Sequence, residues 1–295
     1  MEQFSQLLVS GIANGCIYAI VAIGFSIIYA GTQVINFAQG EFVMVGAMVA
    51  AVLLAKVSLL IAFPVAILAG CLVGAVVGLC VLIPLKRASV VSLVILTVGA
   101  SLLIRGLAQL FWGEEGRMVP YFTGVTANED NIFHFAGAVI GVQQIWVVAI
   151  TIALVIATHC FFKYTLTGRA MRACALNPTG ARLVGINVHR MIILSFIMAA
   201  GLGAVAGVTV SAGLYARCTM GAALGLKGFC AAVLGGLGNY SGGIAAGVLL
   251  GVVESLIVLI IPSMSDYSDA AAFVILLVVL LLKPDGILAR KKAVA

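Results

Sequence analysis

Long, almost uninterrupted apolar runs dominate this chain. A helix that spans the hydrocarbon core of a membrane needs roughly 20 mostly apolar residues. The runs are continuously apolar and do not alternate with polar residues, and an open sheet edge cannot face lipid. The pattern therefore predicts an all-α fold, a polytopic membrane bundle of about 8–10 transmembrane helices. Breaks at charges and at Gly/Pro clusters define nine segments: Leu7–Tyr29, Glu41–Ala55, Ser58–Ile83, Val90–Trp112, Gln143–Phe162, Met191–Gly213, Ala223–Leu237, Gly243–Ile261 and Ala270–Leu282.

Two of these segments, Glu41–Ala55 and Ala223–Leu237, are shorter than a full membrane crossing. Each adjoins a glycine-rich break, at Gly40 in one case and at Gly235 and Gly236 in the other. This design predicts broken or re-entrant helices. Repeated broken helices in the two halves of a transporter often lie at its binding site or pathway. We therefore hypothesise that the two short segments border a passage.

The composition supports a membrane location for one transmembrane domain over residues 1–295. Apolar residues make up 63% of the chain and Asp, Glu, Lys and Arg only 9%, against roughly 45–50% and about 25% in soluble domains. So few charges could not cover the surface of a soluble fold. The first residues, MEQFSQ, carry no base, and a cleavable signal peptide needs a basic start. The first apolar run is therefore predicted to be a retained helix.

The charges predict which loops share a side of the membrane. Bases cluster at Lys86–Arg87, in the segment 163–190 and in the tail after Lys283, whereas acids collect between Glu114 and Asp130 and at Asp266 and Asp269. Because an excess of Lys and Arg marks cytoplasmic loops, we predict that 163–190 and the carboxyl terminus are cytoplasmic and that loop 113–142 is extracytoplasmic. The net charge of +6 thus indicates orientation and not nucleic-acid binding. The amino terminus is outside if all nine segments cross, and inside if one short segment is re-entrant.

The basic segment 163–190 is longer than a simple connection and contains helix signals. Asn177 followed by Pro178 is typical of a helix start, and Gly185 can end the helix. Between them, Ala181, Leu183 and Val184 supply a short apolar face. Such a helix fits docking onto a cytoplasmic partner. A basic loop on anionic lipid head groups is the alternative interpretation.

Polar residues inside the apolar runs are candidates for a substrate pathway, because each is costly in lipid and tends to face an interior. Glu41 could instead cap the start of a half-helix, where the helix dipole stabilises its negative charge. Lys227 and Glu254 could pair across helices, and Arg105, near the outer end of its segment, could snorkel. The candidates are Asn14, Asn36, Gln39, Glu41, Lys227 and Glu254.

The sequence predicts no enzymatic or metal chemistry in this chain. Its seven cysteines form no CxxC pair, and none of its three histidines lies beside a cysteine. No nucleophile–base pair stands out. The chain also has no GxxxxGK[ST] phosphate loop. We therefore expect no cofactor here, and ATP, if it drives transport, must bind a separate subunit.

Four motifs occur in order along nearly the whole chain. The first is INFAQGE, from Ile35 to Glu41. The second lies in the basic segment, as Thr165-x-x-Gly-Arg-Ala, then Asn177-Pro178, then Leu183-x-Gly-Ile. VLGGLG from Val233 and KPDG from Lys283 follow. This set resembles the permease family of branched-chain amino-acid ABC importers, the LivH type.

The resemblance implies that the basic segment is a coupling helix that contacts an ATPase. The general coupling motif of ABC importers begins Glu-Ala-Ala, whereas Thr179, Gly180 and Ala181 stand here, so the narrower family match is the stronger one. The partners implied are a second permease in a heterodimer, two ATPase subunits that bind ATP, and an extracytoplasmic binding protein, in the bacterial inner membrane. The coupling residues implied are Arg169, Arg172, Asn177, Pro178, Ala181, Leu183 and Gly185.

The implied function is import of hydrophobic, branched-chain amino acids, driven by separate ATPases. Permeases for urea, short amides or other amino acids share this resemblance, and no side chain in the sequence selects among these cargoes. A secondary transporter coupled to Na⁺ or H⁺ is a further alternative. It would use Glu41 and Glu254 as the intramembrane carboxylates.

Overall fold

A computed structural model describes residues 2–82, 89–122, 132–135, 138–212, 215–260, 268–283 and 286. The predicted bases Lys86–Arg87 and 290–292 and the acids Glu129, Asp130 and Asp266 lie outside these ranges. The helices are α1 Glu2–Thr32, α2 Gln39–Leu54, α3 Leu59–Leu82, α4 Val90–Trp112, α5 Val142–Tyr164, α6 Leu166–Leu176, α7 Pro178–Leu183, α8 Val188–Ser211, α9 Met220–Leu234, α10 Tyr240–Ile260 and α11 Ser268–Leu282. The strands are β1 Arg117–Met118, β2 Ile132–Phe135, β3 Ala138–Gly141 and β4 Tyr215–Ala216.

The helical membrane fold expected from the apolar runs is confirmed, and each of the nine predicted segments contains one of these helices over most of its described length. Six of them are long and apolar enough to cross a membrane: α1, α3, α4, α5, α8 and α10. The two short segments are short helices, with 16 residues in α2 and 15 in α9. The strands form two small antiparallel ladders, β1 with β4 and β2 with β3.

Two tight antiparallel helix pairs form the centre of the bundle. In the first, Gly15 of α1 faces Val248 of α10, and a Cβ placed on Gly15 would lie 2.7 Å from the Val248 Cα. In the second, Gly70 and Gly74 of α3 face Ala204 and Ala200 of α8. Small residues let the helix backbones approach closely, which is how helices associate where lipid removes the hydrophobic driving force.

The central helices form two similar halves. The halves are α1–α2–α3 and α8–α9–α10, and each runs long helix, short helix, long helix. The first helix of each half packs on the third helix of the other, α1 on α10 and α8 on α3. The two short helices meet between them, where Gly40 of α2 abuts Gly221 of α9. The repeat hypothesised from the two broken segments is therefore present in the packing.

Side-chain contacts place the amino terminus opposite the basic segment. Gln6 Oε1 accepts a hydrogen bond from the Val139 backbone N–H at 2.7 Å, so the start of α1 lies beside β3 and the start of α5. The basic segment follows the other end of α5, a helix of 23 residues. Of the two topologies left open by the sequence, the structure matches the one in which the amino terminus shares a face with loop 113–142.

Candidate substrate passage and coupling surface

The link between α1 and α2 is fixed by buried polar side chains. Asn36 Oδ1 accepts from the Ala38 N–H at 3.1 Å and closes a local turn. The Phe37 N–H donates to Thr97 Oγ1 of α4 at 3.2 Å. Asn36 and Thr97 are both almost fully buried. Because α2 starts inside the bundle, the backbone N–H groups just before it cannot bond to water. The Asn36 and Thr97 side chains accept hydrogen bonds from two of them.

Glu41, in the first turn of α2, lies beside the middle of the long apolar helix α4. Its Oε1 accepts from Ser101 Oγ at 3.0 Å. Ser101 lies midway along α4, a spanning helix of 23 residues with eleven residues on either side of it. The cap of α2 is Ala38, without a side-chain hydrogen bond. Glu41 is therefore not an N-cap, although its charge lies where the helix dipole favours an anion.

Arg105 pairs with Glu41 inside the bundle. Arg105 Nε donates to Glu41 Oε1 at 3.2 Å, and Nη2 makes a shorter contact with the same oxygen. The expectation that Arg105 snorkels to the membrane surface is wrong. Arg105 lies one helical turn beyond Ser101 on α4, within reach of the buried Glu41 carboxylate. Pairing with this carboxylate outweighs hydration of the guanidinium at the membrane surface. The side chain of Glu41 is 1% exposed and that of Arg105 26%.

The pair borders a cavity of ≈ 210 Å³ between α1, α2, α4 and α9. Three aromatic rings form its apolar wall, with Phe229 5.7 Å from both Phe25 and Phe37 between ring centroids. Gly221 and Gly225 of α9, which lie on the same helix face as Phe229, also line it. The cavity thus combines one ion pair, one hydroxyl and a mostly apolar lining.

Glu41 is the predicted pathway residue that lines this cavity. Gln39 is fully buried, and its Nε2 donates to the Ala199 carbonyl of α8 at 3.0 Å. Asn36 serves the α1–α2 link, and Asn14 lies exposed on α1. Sequence reasoning missed the lining residues Ser101, Phe25, Phe37 and Phe229. A serine or phenylalanine in an apolar run gives no local signal that separates it from packing.

Lys227 and Glu254 form the ion pair that the sequence suggested. Lys227 Nζ lies 2.5 Å from Glu254 Oε1, and the Tyr18 hydroxyl donates to Glu254 Oε2 at 2.9 Å. Lys227 also donates to the Tyr18 oxygen at 3.1 Å. The three residues join α9, α10 and α1 and are almost fully buried. None of the three is among the residues that line the cavity.

The basic segment folds as two short helices: α6, which was not predicted, and α7, which has the predicted caps. Asn177 Oδ1 accepts from the Gly180 N–H at 2.9 Å, and Pro178 occupies the first position of α7. At the other end, Gly185 adopts φ +82°. Its N–H donates to Arg182 O, and the following N–H donates to Ala181 O, both at 3.0 Å. This is the Schellman arrangement in which glycine ends a helix.

The outer surface of α6 and α7 exposes apolar side chains among bases. Leu176, Leu183 and Val184 are 88%, 85% and 75% exposed, and Arg169 and Arg172 are also exposed. We call these five residues the coupling surface.

The prediction that Ala181 shares an apolar face with Leu183 and Val184 is wrong. Its side chain is 4% exposed and packs inward with Cys174 and Ile192. Ala181 thus attaches α7 to the bundle and does not share the outer face with Leu183 and Val184. Burial also raises the pKa of the neighbouring Cys174 thiol, an effect that Arg182 partly offsets.

Known proteins match this chain over almost its full length. The family described as branched-chain amino acid transport system, permease component, matches residues 7–280. LivH, the high-affinity branched-chain amino acid permease protein of Escherichia coli K12, is 33% identical, covering 97% of this chain and 96% of its own. BraD of Pseudomonas aeruginosa is equally similar, at 33% with the same coverage. The ribose import permease RbsC of Haemophilus influenzae is 29% identical over 93% of this chain and 83% of its own.

Proposed function

This chain belongs to the family of permease components of branched-chain amino acid transport systems, and we propose that it lines the passage of an ABC importer for hydrophobic amino acids. As a member it is a multi-pass membrane transport subunit that works with ATPases and a binding protein. Our proposal adds that the second permease is a different chain, that the assembly lies in the bacterial inner membrane and that the carboxyl terminus is cytoplasmic.

The cavity at mid-depth is the observation that carries this proposal. An alternating-access transporter needs a site near the membrane midplane, where broken helices of two repeats meet. Here α2 and α9 meet at Gly40 and Gly221, next to a buried ion pair and an aromatic wall. An amino acid with an apolar side chain needs few polar groups along its path, and this cavity provides few.

The coupling surface supports ATP-driven transport. Leu176, Leu183 and Val184 lie on helices outside the membrane, where exposure of apolar side chains to water is unfavourable. We therefore expect a protein partner to cover them. The neighbouring guanidinium groups of Arg169 and Arg172 suit carboxylates on that partner. We propose that ATPase subunits bind here, that ATP binds only to them, and that nucleotide-dependent movement reaches the passage through α7.

The test is uptake into proteoliposomes that contain the complete assembly and enclose ATP. With loaded binding protein outside, we expect accumulation of labelled L-leucine that requires ATP hydrolysis. Unlabelled isoleucine and valine should compete, whereas urea and ribose should not. Leucine accumulation driven by an ion gradient in vesicles that lack the ATPases would refute the proposal and favour a secondary transporter.

A further inference from the structure

We infer that the second permease subunit packs against one particular face of this chain, built by α4 and α9, and closes the cavity beside Glu41 and Arg105. The cavity then lies between the two permeases. This inference rests on the proposed function, which supplies a second permease. We call the surface the α4–α9 face and define it by Val98, Gly99, Leu102, Arg105, Gly106 and Leu226.

The cavity is open on the outer side of the chain. Of its lining residues, Leu102 is 61% exposed, and Val98 and Leu226 are each 39% exposed. Val98 and Leu102 lie one turn apart in the middle part of α4, which is long and apolar enough to span a membrane. Leu226 lies in the middle part of α9. The opening therefore faces sideways, towards lipid or a neighbouring subunit, and not towards either end of the bundle.

Arg105 makes lipid an unfavourable cover for this opening. Its side chain is 26% exposed. Nε and Nη2 contact Glu41, while Nη1 has no acceptor among the described residues. Charged side chains of spanning helices almost always face a bundle interior or a water-filled space, because hydrocarbon solvates them poorly. A protein cover would turn the opening into an enclosed space of that kind.

Two glycines of α4 independently indicate a closely packed helix from outside this chain. In the spanning helices α1, α3, α8 and α10, every glycine has a neighbouring atom within 3.4 Å of the place where a Cβ would lie. Gly99 and Gly106 have no atom of the described chain within 4 Å of that place. Glycine destabilises a helix interior relative to alanine, and membrane helices use it where another backbone approaches. We therefore expect a helix of another subunit to cross α4 here.

The glycines and the cavity belong to one continuous surface. Residues three or four apart are neighbours on a helix surface. Leu102 is therefore next to Gly99 and Gly106 on one side and next to Arg105 on the other. A helix that packs on the two glycines also reaches the mouth of the cavity at Leu102. One occupant thus fills the unused space on α4 and covers the opening.

The position of the α4–α9 face selects the second permease among the proposed partners. The face lies along the middle part of a spanning helix, where only a membrane-embedded chain can reach it. ATPase subunits and a binding protein are water-soluble and act at the two ends of the bundle. The second permease is the membrane-embedded partner of the proposed assembly.

Photocrosslinking in the complete assembly tests this contact without knowledge of the partner's residues. Leu102 is replaced with p-benzoylphenylalanine, the assembly is irradiated in native membranes, and mass spectrometry identifies the joined peptides. We expect a peptide of the second permease. The matched control is the same replacement at Ile156 of α5, which is similarly exposed at 57% and lies on a helix that packs on α1, α6 and α8. It should yield no such peptide.

Substitution of the two glycines tests whether lipid or protein covers them. Gly99→Leu with Gly106→Leu adds apolar side chains where this chain leaves space, and leucine favours both helix and lipid. Under a lipid cover the variant should assemble normally. Under our inference the partner helix is displaced, and copurification of the second permease should fall at least about tenfold, as overpacking of a close contact predicts. Ala153→Leu with Ala157→Leu, at exposed positions of α5, should copurify it like the wild type.

Uptake measured on the same assembly separates the two levels of the argument. If the wild type imports no amino acid, the proposed function fails, whatever the crosslink shows. If it imports leucine but position 102 joins only to lipid, to an ATPase or to the binding protein, the inference alone is overturned. Normal copurification by the double leucine variant would also overturn it. Should that variant not accumulate in the membrane, the crosslink decides. A crosslink to a second copy of this chain would support the interface and refute the part of the proposed function that makes the second permease a different chain.

Discussion

The buried ion pair of α9 and α10 should contribute strongly to stability, and replacing one partner should reveal this. In Glu254→Gln, the Lys227 ammonium loses the carboxylate that lies 2.5 Å away. Both residues are only 8% exposed, so water cannot replace the lost partner. Leaving such a charge uncompensated costs about 3–5 kcal/mol. Lys227→Met should cost a similar amount, because it strands the carboxylate.

The double variant Lys227→Met/Glu254→Gln provides the control. It removes both charges, and replacing a buried pair with neutral groups of similar volume costs far less than breaking it. We expect the double variant to be more stable than either single variant. Tyr18→Phe removes one donor to Glu254 and one acceptor from Lys227. Its expected cost is about 1.5–3 kcal/mol, the range for hydrogen bonds to charged groups.

The assay is thermal unfolding of the purified assembly, followed by the loss of monodisperse protein on size exclusion. At about 2 °C per kcal/mol for a chain of this size, each single charge variant should lower the Tm by about 6–10 °C. The double variant should recover at least half of that loss. Single-variant losses below about 2 °C, or losses that simply add in the double variant, would refute the coupling between these charges.

Three further predictions concern α6 and α7. Leu183→Asp together with Val184→Asp should abolish ATPase copurification, whereas Phe133→Asp, an exposed apolar position on the opposite face, should not. Gly185→Arg should also lose the ATPase because φ +82° disfavours side chains, and Gly185→Asn should retain it because asparagine tolerates this conformation; equal copurification would contradict this account. Burial raises the pKa of the Cys174 thiol, so less thiolate is present at neutral pH. N-ethylmaleimide should therefore label Cys174 more slowly than an engineered Leu183→Cys, with a rate that rises with pH, as mass spectrometry can measure.

The helices and their caps were predictable because their causes are local. The apolar run Val90–Trp112 coincides with α4 from first to last residue. Asn177 and Gly185 act through hydrogen bonds at the ends of α7, and Pro178 acts through its fixed φ at the first helical position, so their residue types suffice to predict its ends. Nothing beyond a few neighbouring residues is needed for either prediction.

The cavity was not predictable because its walls come from distant parts of the chain. Glu41 and Arg105 are 64 residues apart in sequence. Without knowing that α2 starts beside the middle of α4, an arginine near a helix end is expected to reach for the head groups. Ala181 shows the same limit on a smaller scale. Its spacing from Leu183 does not reveal which face of a six-residue helix the bundle covers.

The two buried ion pairs differ in the feature that separates a structural role from a binding role. Each connects a short central helix to a long neighbour, Glu41 of α2 to Arg105 of α4 and Lys227 of α9 to Glu254 of α10. In the second pair both carboxylate oxygens are engaged, one by Lys227 and the other by Tyr18. In the first pair every described donor goes to one oxygen, the other oxygen is buried, and both residues line the cavity. The α9 pair therefore connects three helices away from the cavity, whereas the α2 pair lies where a molecule in the cavity would meet it.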